Sequence, residues 1–155
     1  MWNKRTIETA VLISLTLVLM PAASHGIDFG VRGGVYTDIE EPFAGVELLM
    51  PVGASSWYFN PNAEFVAVSD GDLATVNFDF HYDIPVDAPL YVWAGGGPAV
   101  IFRDPPGRRS DDETDVGANL LVGVGWQDLP VVPYVQAKII VSDETEVVAA
   151  VGVRF

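Results

Sequence analysis

The chain has 155 residues, 50% of them hydrophobic, and 21 acidic against 8 basic side chains give a formal charge of -13. This length fits one domain, and such acidity excludes a nucleic-acid binder, whose affinity rests on Lys and Arg neutralising phosphates. With no cysteine, an exported form must be held by its core or by closure of a sheet.

Lys4 and Arg5 precede the apolar run Val11 to Met20, which is followed by the small residues Pro21-Ala22-Ala23-Ser24. The run falls short of the roughly 20 residues that a spanning helix needs. We therefore expect a cleaved secretory signal peptide over residues 1–24 and a single mature domain over 25–155, with a retained anchor as the competing reading. Removing Lys4, Arg5 and Glu8 leaves 20 acidic and 6 basic residues, a charge of -14.

No later apolar run is long enough for a transmembrane helix, so a membrane protein here has to be a barrel. Eight segments alternate between apolar and polar or small residues. The first, Ile27 to Thr37, sets Phe29, Val31 and Val35 against Asp28, Gly30, Arg32, Gly34 and Tyr36, and a turn is expected over residues 38–42. The second, Phe43 to Val52, sets Ala44, Val46, Leu48 and Met50 against Gly45 and Glu47. In the third, Ser56 to Val68, Trp57, Phe59, Ala63, Phe65 and Ala67 oppose Tyr58, Asn60, Asn62 and Glu64. Pro61 cannot donate a ladder hydrogen bond, which predicts a bulge or a local break there.

After a turn at Ser69-Asp70-Gly71-Asp72, Ala74, Val76, Phe78, Phe80, Tyr82 and Ile84 alternate without a fault with Thr75, Asn77, Asp79, His81 and Asp83. That is period two over about 11 residues, the length of a tilted membrane strand. The fifth segment, Leu90 to Phe102, has no readable register because Gly95-Gly96-Gly97 carries no side chains. Residues 103–113 form the longest polar loop. The sixth, Thr114 to Trp126, sets Val116, Ala118, Leu120, Val122, Val124 and Trp126 against Asp115, Gly117, Asn119, Gly123 and Gly125. The seventh, Tyr134 to Val141, sets Val135, Ala137, Ile139 and Val141 against Gln136 and Lys138.

The eighth, Glu146 to Phe155, ends on a bare aromatic, and pairing this last strand with the first closes a barrel. The apolar faces carry Trp57, Tyr82, Trp126 and Phe155 near strand ends, where interfacial aromatic girdles belong. The expected fold is all-β: an eight-stranded antiparallel up-and-down transmembrane β-barrel behind a signal peptide. With both termini on the periplasmic side, the longest and most acidic loops face outward, the usual asymmetry of such barrels.

The terminal alternation ending in Phe155 resembles the last strand of Gram-negative outer-membrane barrels. The mature chain as a whole resembles the small OmpA/OmpW-like outer-membrane β-barrel domain family. The resemblance rests on residues 60–65 (NPNAEF), 77–83 (NFDFHYD), the glycine-bearing stretch Tyr91 to Gly97, residues 115–123 (DVGANLLVG), residues 133–138 (PYVQAK) and residues 151–155 (VGVRF). It implies the fold and an outer-membrane location, but no shared catalytic site. It also implies a barrel-assembly signal at Val151, Val153 and Phe155, read by the assembly machinery and periplasmic chaperones. Outer-membrane lipid and lipopolysaccharide are the implied surroundings of a monomer.

A lumen charge network is expected from Asp28, Arg32, Glu47, Glu64, Asp79, His81, Asp115, Lys138 and Arg154, with Gln136 among them. In so narrow an interior, opposite charges pair, since an unpaired buried charge is costly. The leading reading is a salt-bridge plug in a barrel with a structural or surface-recognition role. The alternative is a narrow pore for small ions or solutes, mildly cation-preferring because carboxylates outnumber cations in that set. His81 between Asp79 and Asp83 invites a metal or catalytic reading, but His25 is the one other mature histidine. Nucleophile, base and orienting group cannot be assembled, so we expect neither catalysis nor a cofactor. Asp111, Asp112 and Glu113 form a weak candidate loop for Ca²⁺ or Mg²⁺, lacking the spacing of an EF-hand.

Overall fold

A computed structural model describes residues 26–68, 71–104, 113–127 and 129–155. The expected signal peptide lies outside these residues, as do His25, Asp111 and Asp112.

Strict alternation favours strands because successive side chains point to opposite faces. Eight strands follow one another: β1 (Asp28–Tyr36), β2 (Glu41–Pro51), β3 (Trp57–Val68), β4 (Gly71–Ile84), β5 (Leu90–Asp104), β6 (Glu113–Trp126), β7 (Val132–Val141) and β8 (Glu146–Arg154). Each pairs antiparallel with the next, and β8 returns to β1, so the sheet is a closed barrel. The seam runs from Gly30 opposite Arg154 to Tyr36 opposite Val148. Beyond the strand, the Phe155 amide donates to the Phe29 carbonyl at 2.8 Å. Closure leaves no strand edge, which disposes of the liability of an exposed terminal strand.

Two expected turns are tighter than the sequence suggests. Val68 pairs directly with Gly71, so Gly71 and Asp72 belong to β4 and the connection is two residues long. Pro42 likewise lies in β2, opposite Val35. Pairing between adjacent antiparallel strands continues as far as backbone groups face each other, and residue types that favour turns do not end it.

The register of β5 is decided by its neighbours. Trp93, Ala99 and Ile101 are buried in the lumen, which carries Gly95 and Gly97 to the same side. Trp93 sits directly opposite Gly123, where an added β-carbon would overlap the indole. Tyr134 sits opposite Gly152 in the same way. A small barrel fills its interior by setting large against small side chains, and here the glycines supply the small ones.

Pro61 interrupts the ladder without bulging it. On the β2 side, paired residues run from Phe43–Val66 to Glu47–Asn62 and resume at Met50–Phe59 in the same register. The missing donor is replaced locally: Asn60 Nδ2 donates to the Leu48 carbonyl at 2.7 Å. On the β4 side the pairing is continuous through Pro61 and Phe78.

Outside the barrel, Val46, Phe65, Phe80, Val116, Leu120, Val122 and Val151 are exposed. The aromatic side chains Trp57, Tyr82, Trp126 and Phe155 are exposed near the rim at which β1 begins and β8 ends, where the described chain has its two ends, with Trp57 and Tyr82 packed edge to face at 5.4 Å. An apolar outer wall and a polar interior invert the arrangement of a soluble barrel. Among the described residues no helix is long and apolar enough to cross a membrane.

Candidate functional site

The lumen is built in three levels. Nearest the rim away from the chain ends lies an apolar layer, which the alternation did not announce. Tyr36, Phe43, Val66, Leu73, Ala99, Ile101, Ile140, Val148 and Ala150 pack into one buried cluster, drawn from every strand except β6. The sequence suggests a lumen lined by polar and small residues. The structure corrects this, because Phe43, Leu73, Ile101 and Val148 hold inward positions on their strands. Above this layer, toward solvent, Arg103 Nη1 meets Glu144 at 2.9 Å, and its Nη2 lies 3.9 Å from Glu146.

The middle level is an ion and amide network. Glu64 is its hub. Its Oε1 accepts from Arg32 and, at 2.8 Å, from Lys138 Nζ. Its Oε2 accepts from the Tyr36 hydroxyl at 2.5 Å and from Thr75 at 3.3 Å. Glu47 accepts from Arg154 Nε at 2.8 Å and from Asn60 at 3.2 Å, and lies 3.5 Å from Arg32 Nη1. The side chains of Arg32, Glu47 and Glu64 have no solvent exposure. Each rests where an opposing glycine leaves room: Glu47 faces Gly30, and Arg32 and Glu64 both face Gly45.

Asp79 is held differently. Its Oδ2 accepts from Asn62 at 2.9 Å and its Oδ1 from Asn119 at 2.8 Å. Asn77 donates to Asn62 at 2.9 Å and accepts from Asn119 at 2.8 Å. The four side chains form a closed ring across β3, β4 and β6. Sequence reasoning placed these asparagines on the polar face but did not single them out. The available signal was their recurrence at inward positions of neighbouring strands.

In this level three carboxylates, Glu47, Glu64 and Asp79, equal in number three cations, Arg32, Lys138 and Arg154, with Asp79 held by asparagines and not by a cation. Asp28 and Asp115 stand apart, near opposite ends of the lumen, and neither forms an ion pair among the described residues.

The third level is aromatic. Tyr58, His81, Trp93 and Tyr134 follow one another in a row, with centroid separations of 5.6, 5.7 and 5.6 Å: Tyr58 stacks on His81, Trp93 is tilted against His81, and Tyr134 meets Trp93 edge to face. The Arg154 guanidinium lies over Trp93 at 4.7 Å and Tyr134 at 4.5 Å, a placement that ring quadrupoles favour. Trp93 Nε1 donates to Gln136 at 3.2 Å. His81 is therefore a stacked wall residue, with Asp83 at 3.5 Å and Asp79 committed to the amide ring. Among the described residues no group of three His, Asp or Glu side chains could hold a metal ion. Of the candidate cation loop, Asp111 and Asp112 lie outside the described residues, and Glu113 opens β6.

Solved structures with this architecture settle the fold. Neisserial surface protein A superposes with a TM-score of 0.61 at 15% identity, covering 83% of this chain and 92% of that one. The Yersinia pestis outer membrane protein Ail, in a phospholipid bilayer nanodisc, superposes with a TM-score of 0.51 at 10% identity, covering 84% of this chain and all of that one. The chain has the fold of the small eight-stranded outer-membrane β-barrels. No protein-family model matches it, and neither does any curated protein. In this small outer-membrane-barrel fold, Val151 lies on the outer face, Arg154 turns inward, and Val153 and Phe155 end the wall beside Val31 and Phe29.

Proposed function

We propose that this protein is an outer-membrane barrel whose lumen is a structural plug and whose role is structural or recognitional, exercised at the rim away from the chain ends. The observation that carries the reading is the sealed lumen. An apolar layer, with Val66 and Ile140 at 0% exposure, lies in series with a charge-balanced network. An ion would have to cross both, and a dry apolar constriction opposes its passage. The solved structures of like fold are those of a surface protein and an outer membrane protein, which agrees with this reading.

The rim away from the chain ends faces the exterior and lipopolysaccharide, and its four acidic connections are the surface available to a partner. Val151, Val153 and Phe155 serve during biogenesis as the strand that assembly machinery and periplasmic chaperones recognise. The barrel works as a monomer and performs no catalysis.

Planar-bilayer recording on the purified protein tests this. The expected result is no steady conductance, together with a heat-dependent mobility shift in electrophoresis. A cation-selective current that drops on neutralising Glu47 and Glu64 would replace the plug by the pore.

A further inference from the structure

Where β4 turns into β5, at the rim on which β1 begins and β8 ends, an open notch of about 280 Å³ lies beside the mouth of the lumen. Ile84, Pro85 and Val86 form an apolar wall, and Asp83 and Tyr91 stand on its lumen side. The walls are tied together. The Asp83 amide donates to the Ser56 carbonyl at 2.9 Å and the Gln127 amide to the Pro89 carbonyl at 3.2 Å, which fixes the start of β3 and the end of β6 to the β4–β5 hairpin. Among the described residues that line the notch, Asp83 alone is charged. Its side chain keeps 20% of its surface open to solvent, and His81 Nε2 lies 3.5 Å away without forming a hydrogen bond.

Charge around the notch has one sign. The three connections at this rim, residues 52–56, 85–89 and 127–131, contain no Lys, Arg or His but include Asp87 and Asp128. Arg154, at the end of β8, does not line the notch, and its Nε is committed to Glu47. A carboxylate partly shielded from water beside an apolar wall favours a cation carried on an aliphatic stem. Lysine is such a side chain, with its ammonium on four carbons, and Tyr91 offers an aromatic ring to the charge. Size agrees: a cavity of about 150 Å³ accepts benzene, so the notch has room for that stem and for the adjoining main chain. Ser56 and Gln127 add exposed polar side chains to the lining, which suit the amide groups of a peptide and offer a simple amine nothing further.

We propose that this notch docks a lysine-bearing segment of a protein on that side of the membrane, with the ammonium on Asp83 and the stem against Ile84, Pro85 and Val86. The docking follows from the geometry of the rim, and the partner's periplasmic location rests on the orientation proposed above. Binding is tested in detergent, where orientation plays no part, so the two stand or fall separately.

The purified barrel, labelled with nitrogen-15 in a nonionic detergent, is titrated with acetyl-Gly-Lys-Gly-amide and followed by NMR. The amides of Val86, Tyr91 and Gln127 report on the notch, and those of Ile39 and Glu144 on the opposite rim. The peptide is expected to give saturable shifts at the first three, with a dissociation constant of about 1 mM, and none at the other two. The norleucine peptide keeps the stem and loses the charge, and is expected to bind about tenfold more weakly. Asp83→Asn should weaken the lysine peptide by the same order while keeping its heat-dependent mobility, and Asp143→Asn, at the opposite rim, should leave binding unchanged. Should Asp83→Asn not fold, the contrast of lysine with norleucine in the unaltered protein decides the matter. Binding of n-butylamine as tight as that of the peptide would assign the notch to a soluble amine and overturn the docking. Absent shifts, equal binding of the norleucine peptide, or equal shifts at both rims, as an acidic molecule attracting any cation would show, overturn it as well.

Discussion

Glu64 is the residue on which the interior most depends. Two cations and two hydroxyl groups converge on one carboxylate without solvent exposure. Removing its charge leaves Arg32 and Lys138 buried and short of an anion, a change that typically costs about 3–5 kcal/mol. Glu64→Gln should therefore destabilise the detergent-folded barrel by that order, seen as a lowered urea midpoint at unchanged m-value and read from the heat-dependent mobility shift. An unchanged midpoint would mean that water reaches the network. That Glu64 faces inward is plain from its position between Ala63 and Phe65. Its role as hub is not, because Lys138 is 74 residues away and only closure of the sheet brings β7 across the lumen from β3.

At the scale of the strand, β3 shows how local chemistry repairs a local fault. Pro61 withholds a hydrogen-bond donor from β2, and the side chain of the preceding Asn60 supplies one to Leu48. Asn60→Ala should leave that carbonyl unpaired and destabilise the barrel by about 1–3 kcal/mol, with faster amide hydrogen exchange confined to the β2–β3 hairpin. Uniform exchange around the barrel would argue against the repair.

The strands were readable because alternation with period two is strict, and β4 was the clearest since Phe78, Phe80 and Tyr82 separate Asn77, Asp79, His81 and Asp83. β5 was unreadable for the complementary reason. Gly95, Gly96 and Gly97 have no side chains to mark a face, and their value lies in the bulk they leave for neighbouring strands. Leu121, between Asn119 and Gly123, looks like an interruption of the inward face until it is seen packed with Trp93 and Tyr134.

For the whole molecule, the test of an outward apolar wall is a charge placed on it. Leu120 is 62% exposed midway along β6. In a bilayer, Leu120→Arg should cost about 2–4 kcal/mol, the penalty for a cation near the midplane of a membrane barrel. Folding yield into lipid vesicles measures this. A soluble barrel would tolerate the same change at its surface with little effect.

Strand number, the outward face of each strand apart from β5, and closure of the last strand on the first follow from hydropathy patterning alone, because a pleated chain sorts neighbouring residues onto two faces whatever their distant partners. The tertiary structure decided the rest. Which charges pair, that asparagines close a ring around Asp79, and that an apolar layer seals one end all depend on which residues meet across the lumen. Those meetings are set by register and curvature accumulated over eight strands, and no local stretch of sequence carries them.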